Sequence, residues 1–346
     1  MSQELVRILA EGGPGRSLST VVRVQGSAPR HAGSMMIAGP GGLVAGSVGG
    51  GRGEARVLAE AAAAAAEGRP RLVEIDMQGQ DAQGPDMVCG GTSRILVQPA
   101  SDPAPFAAAL DRLARGERAL LATRIGAGTT HVMAADGTWI HGGDPGADPD
   151  LAQRALECGH PAADAGGDLH LLPLLPREKL LILGAGHVGR ALAALAPGLC
   201  FDVTLGDDRS AFLEADRLPP GVAAAHGTFT EIVEAFPFDA STYAVVVSRG
   251  HLSDLECVRA LLKRPWRYAG FMGSVRKVRL VLDQALADGL DPARIAALCA
   301  PIGLDIEAET PEELAVAIAG ELIAVRRRAP ALEPIQAARR ARRGKP

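Results

Sequence analysis

At 346 residues the chain is long enough for two domains of about 150 residues each. Its 47% apolar content excludes disorder along the whole length. A net charge of −4 with only 11 aromatic residues argues against a general nucleic-acid binder that stacks bases.

The first half opens with a β-branched strand over residues 20–25. Strands over 34–38 and 43–48 follow, separated by Gly39-Pro40-Gly41-Gly42, a hairpin signal. Residues 55–67 contain six consecutive alanines and read as helix. Residues 71–76 and 92–98 are strands on either side of a loop carrying Cys89. A helix over 106–114 and strands over 119–124 and 131–134 complete this half. Pro173 and Pro176 mark residues 171–178 as a linker or an entry turn.

The second half alternates strand and helix. Strands fall at 179–183, 201–205, 243–247 and 267–271. Helices fall at 187–196, 230–235, 253–262 (with Ser253 as N-cap), 275–286 and 311–325. Thr310-Pro311-Glu312-Glu313 is a capping box with proline at the first helical position. The expected fold class is α/β: a mixed α+β domain over residues 1–172, then a Rossmann-like, doubly wound parallel-sheet domain over 178–326. The basic stretch 327–346 reads as a frayed tail.

Glycine is in excess, 42 residues where about 7% is usual, and 13 of them fall between Gly12 and Gly53. The five cysteines are odd in number and scattered, so neither a disulfide framework nor a paired-cysteine zinc site is expected. A reduced, cytoplasmic compartment suits them. Neither a signal peptide nor a membrane span is expected, and no repeat of about 20–50 residues is visible.

Four constellations could carry chemistry. Gly184-Ala185-Gly186-His187-Val188-Gly189 follows a strand and opens a helix, the setting for a diphosphate at a helix N-terminus. Gly184, Gly186, His187 and Gly189 are its candidate contacts; Asp207 and Asp208 both stand near the expected spacing, with Asp207 as the candidate ribose ligand, and the alternative is a purely structural Rossmann turn in which His187 only caps the helix. Second, Cys89-Gly90-Gly91 places a thiol on a loop of little bulk, either a small turn residue or a thiolate able to meet a ligand or metal. Third, Gly26-Ser27-Ala28-Pro29-Arg30 and residues 46–54 set Arg30 and Arg52 beside exposed backbone. These runs are either hairpin turns or an anion-binding concavity. Fourth, Arg249, His251, Asp254, Gly273, Ser274 and Lys277 follow predicted strands. His251 and Asp254 are candidates for an acid/base pair or a metal site, with a loop histidine that only bonds the backbone as the alternative, and the others are candidate cofactor contacts.

These runs, with Pro301-Ile302-Gly303-Leu304-Asp305-Ile306 and Glu309-Thr310-Pro311-Glu312-Glu313, resemble the XdhC/CoxI family over residues 5–326. Members of that family are accessory proteins of xanthine dehydrogenase and related molybdenum hydroxylases. The resemblance implies a cofactor-binding chaperone rather than a turnover enzyme. It would bind the molybdenum cofactor (molybdopterin or its cytosine dinucleotide), cooperate with a cysteine desulfurase during sulfuration, and deliver the cofactor to the apo-hydroxylase. It further implies a homodimer, and Cys89 as ligand or sulfur relay, facing the metal–dithiolene end of the cofactor across the domain interface. Two departures stand out: family members often carry cysteine where Arg52 stands, and Gly206 precedes the acidic pair. The competing expectation is a redox protein carrying FAD or NAD(P), because the same glycine loop serves those cofactors.

Overall fold

A computed structural model describes residues 3–77 and 90–327. The chain divides between Arg177 and Glu178 into two units.

The first unit begins with α1 (Gln3–Ala10), β1 (Ser17–Gln25), β2 (Met35–Gly39), β3 (Gly42–Gly46), α2 (Gly51–Glu67), β4 (Arg71–Asp76) and β5 (Thr92–Pro99). It continues with α3 (Ala104–Ala114), β6 (Ala119–Arg124), β7 (Thr129–Ala134), β8 (Trp139–His141), α4 (Pro149–Cys158), β9 (Ala162–Ala163) and β10 (Leu169–Leu174). Two five-stranded antiparallel sheets result, ordered β3-β2-β1-β5-β4 and β8-β7-β6-β10-β9. The two sheets repeat one plan: a leading helix, three strands, a second helix, two strands. This repeat is longer than the periods sought in the sequence and shows in the order of elements.

Strand alternation builds the layers. In the first sheet Leu18 and Ile37 join the core shared with α1, α3 and the second sheet, whereas Val21 and Met36 face the other way, with α2. Val57, Ala61 and Ala64 form the buried face of α2, so the alanine run lets the helix lie close to the sheet. In the second sheet Leu121 and Leu172 face the shared core, and Leu120 and Leu171 pack with α4.

Residues 171–178 are not a plain linker: Leu171–Leu174 belong to β10. Pro173 sits opposite Leu120 of β6, and β9 pairs only with His170 and Leu171. The proline therefore lies on a stretch with one open side, where a missing N–H is tolerated. Helix α4 escaped the sequence reading although Asp148 caps it, accepting from the N–H groups of Asp150 and Leu151.

The second unit contains β11 (Glu178–Leu183), α5 (His187–Leu195), β12 (Phe201–Asp207), β13 (Val222–His226), α6 (Phe229–Ala235), β14 (Tyr243–Val246) and α7 (Gly250–Leu261). It ends with β15 (Tyr268–Phe271), α8 (Val275–Ala287), α9 (Pro292–Ala297) and α10 (Pro311–Arg327). Its sheet is parallel throughout, ordered β13-β12-β11-β14-β15. Leu180 and Ile182 pack with α5 and α10 on one face; Leu181 and Leu183 pack with α6, α7 and α8 on the other. This is the doubly wound Rossmann arrangement. Strand β13, the small-residue run Val-Ala-Ala-Ala-His, gives too weak a signal to be read from sequence. Helix α7 starts at Gly250 with Arg249 at its cap, so Ser253 lies inside the helix and does not cap it. Helix α10 runs to Arg327, one residue into the expected tail, and Arg326 within it pairs with Glu178 and donates to the Leu199 carbonyl at 2.7 Å. Residues 328–346 lie outside the described residues.

Candidate functional site

The strand order reverses between β11 and β14, so a crevice opens at their carboxyl ends. The glycine loop of residues 184–189 sits there. Gly184 has φ 114°, and a Cβ on it would lie 2.6 Å from the Val247 carbonyl oxygen and 2.9 Å from the Ser248 Cα. A Cβ on Gly189 would fall 1.9 Å from the Gly184 carbonyl oxygen. Both glycines are thus fixed by packing. Gly186 differs: nothing lies within 4 Å of its Cβ direction. Its backbone is the part of the loop another molecule can approach, at the N-terminus of α5, where the first N–H groups lack intrahelical carbonyls. His187 is exposed beside it.

Asp207 is 1% exposed and commits its carboxylate to the protein. It accepts from the Ala185 N–H at 2.7 Å, the Arg209 N–H at 3.0 Å, and Arg209 Nε and Nη2 at 2.8 and 3.0 Å. Burial pushes its carboxyl up, but the Arg209 and backbone hydrogen bonds outweigh that and hold it below the usual carboxylate range. Asp207 therefore braces the glycine loop from below. Arg209 is further fixed over the Phe212 ring at 3.7 Å. The more open carboxylate at this strand end is Asp208, which pairs with Arg249 at 3.0 Å. Gly206 has a packing reason: a Cβ there would meet Ile232 at 3.0 Å.

Across the crevice, Asp254 is fully buried in α7. Ser248 Oγ donates to it at 2.6 Å, and Lys277 forms an ion pair with its other oxygen. These three side chains tie the end of β14 and the first turn of α8 to α7. His251 is exposed, and among the described residues no hydrogen bond joins it to Asp254. The two do not form a pair. Ser274 caps α8 by accepting from the Lys277 N–H at 3.3 Å, and Gly273 lies against the Lys277 side chain. Gly303, in the loop before α10, donates to the buried Glu321 at 2.6 Å.

In the first unit, the glycine-rich runs converge at one end of the first sheet. A Cβ on Gly26 would meet the Gly90 carbonyl oxygen at 3.0 Å, and one on Gly91 would meet the Gln25 and Ser27 carbonyl oxygens at 2.5 Å each. The Gly49 Cβ direction meets Pro29 at 3.7 Å. Glu54 ties the run together, accepting from Ser47 Oγ at 2.7 Å and from the N–H groups of Val48 and Gly50 at 3.0 and 3.1 Å. Burial pushes the Glu54 carboxyl up, but these donors outweigh it and lower it. A cleft of about 20 Å³, room for about one water, lies between Pro29, Gly50, Glu54 and Ile75. Arg30 and Arg52 are exposed on this unit. Cys89 lies outside the described residues. Among the described residues no cluster of three or more His, Cys, Asp or Glu side chains is arranged to hold a metal ion, and no helix is long and apolar enough to cross a membrane.

Sequence reasoning underweighted Asp208 and Ser248. Asp208 directly follows β12 and Ser248 lies two residues beyond β14, both at carboxyl ends of strands that flank β11, which was the available signal.

The molecule is thus a Rossmann-type α/β protein joined to a duplicated antiparallel unit. The model of the XdhC Rossmann domain matches residues 180–322, and that of the XdhC and CoxI family matches residues 9–76. The chain belongs to the XdhC and CoxI family. It is 26% identical over 316 residues to a Bacillus subtilis protein named as a probable xanthine dehydrogenase subunit, covering 90% of this chain and 93% of that protein. It is 27% identical over 317 residues to YqeB of Escherichia coli, covering 91% of this chain but only 44% of that longer protein. A crystal structure from Bacillus halodurans, described as a xanthine dehydrogenase, shares the fold with a TM-score of 0.82 at 24% identity, covering 95% of this chain and 97% of that one.

Proposed function

We propose that this chain is a maturation factor for a molybdenum hydroxylase of the xanthine dehydrogenase type, and that it holds the molybdenum cofactor before insertion. Family membership and the name of the Bacillus subtilis relative support the client class. The observation that carries the binding half of the reading is the open backbone at Gly186, framed by packed glycines on both sides.

The residues fit the phosphate end of such a ligand. Gly186 and His187 would meet a phosphate or diphosphate at the start of α5, with Arg249 as the nearby cation; once Arg249 turns to the anion, Asp208, still 3.7 Å from Arg209, would accept a ribose hydroxyl. Gly184, Gly189 and Asp207 act through the loop's shape. Gly273, Ser274 and Lys277 stand at the neighbouring strand end, where Lys277 remains tied to Asp254. In this reading His251 contributes a rim contact. Arg30 and Arg52 steer an anion at the first unit, and Cys89 serves as sulfur relay or ligand. The bound cofactor supplies the dithiolene-held molybdenum that the client uses; the chain binds, orients and shields it. Partners on this reading are the apo-hydroxylase and a cysteine desulfurase, with the chain acting as a homodimer in the cytoplasm.

The test is reconstitution. Apo-hydroxylase of the xanthine dehydrogenase type, cofactor and cysteine desulfurase are mixed with and without this protein. Faster recovery of hydroxylase activity with it supports the reading; equal recovery rejects it. Replacing Cys89 with Ala should lower the terminal sulfido content of the delivered cofactor while leaving the melting temperature unchanged.

A further inference from the structure

The first sheet carries a second polar depression. Strand β1 has a bulge between Val21 and Arg23. Before it Val21 lies opposite Ile95; after it Arg23 lies opposite Arg94. Bulges re-aim side chains, and this one sets Arg23 and Arg94 directly opposite each other on adjacent strands. Like charges directly opposite each other destabilise a sheet. The next strand places Glu74 opposite Arg94, yet among the described residues no ion pair or side-chain hydrogen bond engages Arg23 or Arg94. Arg71, on the same sheet, shows the contrast: Glu60 and Glu67 hold it at 2.8 and 2.6 Å.

A depression of about 230 Å³ lies among Arg23, Gln25, Glu74, Thr92 and Arg94. Its lining offers two guanidinium forks, an amide, a hydroxyl and one carboxylate. We infer that this depression binds the phosphate group of a small phosphate monoester. Guanidinium forks match the paired oxygens of phosphate, and Thr92 and Gln25 supply further donors. Glu74 disfavours a second anion and accepts a hydroxyl or N–H from the rest of the ligand. The site therefore suits a monoester on a hydroxyl- or amine-bearing body over a polyphosphate. The proposal is independent of the glycine loop in the other unit.

The test uses the full chain with arginine Nε labelled by ¹⁵N, titrated with inorganic phosphate. Arg23→Gln and Arg94→Gln identify the two Nε–H signals. Both signals should shift saturably in the unsubstituted protein, and either substitution should weaken the response of the remaining arginine by at least about tenfold. Melting gives a second readout. Without phosphate each variant should melt at or above the unsubstituted protein, because the like-charge contact is relieved; with phosphate only the unsubstituted protein should gain stability. Signals that do not move, or a phosphate response retained by both variants, would overturn the assignment. Binding confined to the glycine loop would leave both Nε–H signals still and would overturn it as well.

Discussion

Arg249 and Asp208 meet at 3.0 Å although they follow different strands, β14 and β12. Strand β11 lies between those two, so the pair spans the end of the strand that feeds the glycine loop. On the proposed function, an anion at Gly186 would compete with Asp208 for the guanidinium. Asp208→Asn should therefore tighten pyrophosphate binding a few-fold, as expected for a partly exposed pair of about 0.2–1 kcal/mol. The gain should vanish when Arg249 is already Gln. Calorimetry on the double-mutant cycle checks this; equal gains in both backgrounds would mean that Asp208 acts only as a distant repelling charge.

Two glycines of the same loop should behave oppositely. Gly189→Ala forces a Cβ against the Gly184 carbonyl and should cost at least about 2 kcal/mol in urea denaturation. Gly186→Ala meets nothing and should change stability by less than about 1 kcal/mol. It should nevertheless weaken pyrophosphate binding about tenfold, because the backbone is no longer open.

Glu54 holds the glycine run of the first unit. Glu54→Gln should cost about 1–3 kcal/mol at pH 7, since three donors lose a carboxylate. The folded carboxyl is lowered from 4.5, so its contribution is full above that value and fades as pH falls below it. The stability gap between the two proteins, measured by urea denaturation, should narrow below about pH 4.5.

His170 is buried in β10, and burial lowers its pKa from 6.5 to about 4. The folded state favours the neutral ring. Its contribution is therefore complete above pH 6.5 and is lost as pH falls from 6.5 towards 4, by roughly 3 kcal/mol in all. His170→Gln does not titrate, so its denaturation midpoint should change less between pH 7 and pH 5 than that of the unsubstituted protein.

The Rossmann half was legible because its signals are local. The strand, glycine loop and helix around Gly184 follow one another in sequence, and the capping box at Thr310 and Glu313 closes as read, with Glu313 accepting from the Thr310 N–H at 3.0 Å. Spacing pointed to an aspartate at the end of β12 but did not tell Asp207 from Asp208. Burial separates them: the first turns inward to the loop, and the second stays open enough to meet Arg249. The pairing of Arg23 with Arg94 was invisible in sequence because it depends on a bulge, which shifts register without any periodic signature. Strand β10 was hidden by Pro173, whose cost depends on whether a neighbour pairs on both sides.

The most direct measurement is the pterin content of the full chain purified from molybdenum-replete cells, released by acid and read by fluorescence and mass spectrometry. On the proposed function, a molybdopterin-derived species close to one per chain is expected, sharply reduced by Gly186→Ala. Absence of pterin from the unsubstituted protein, or a flavin or nicotinamide in its place, would contradict it.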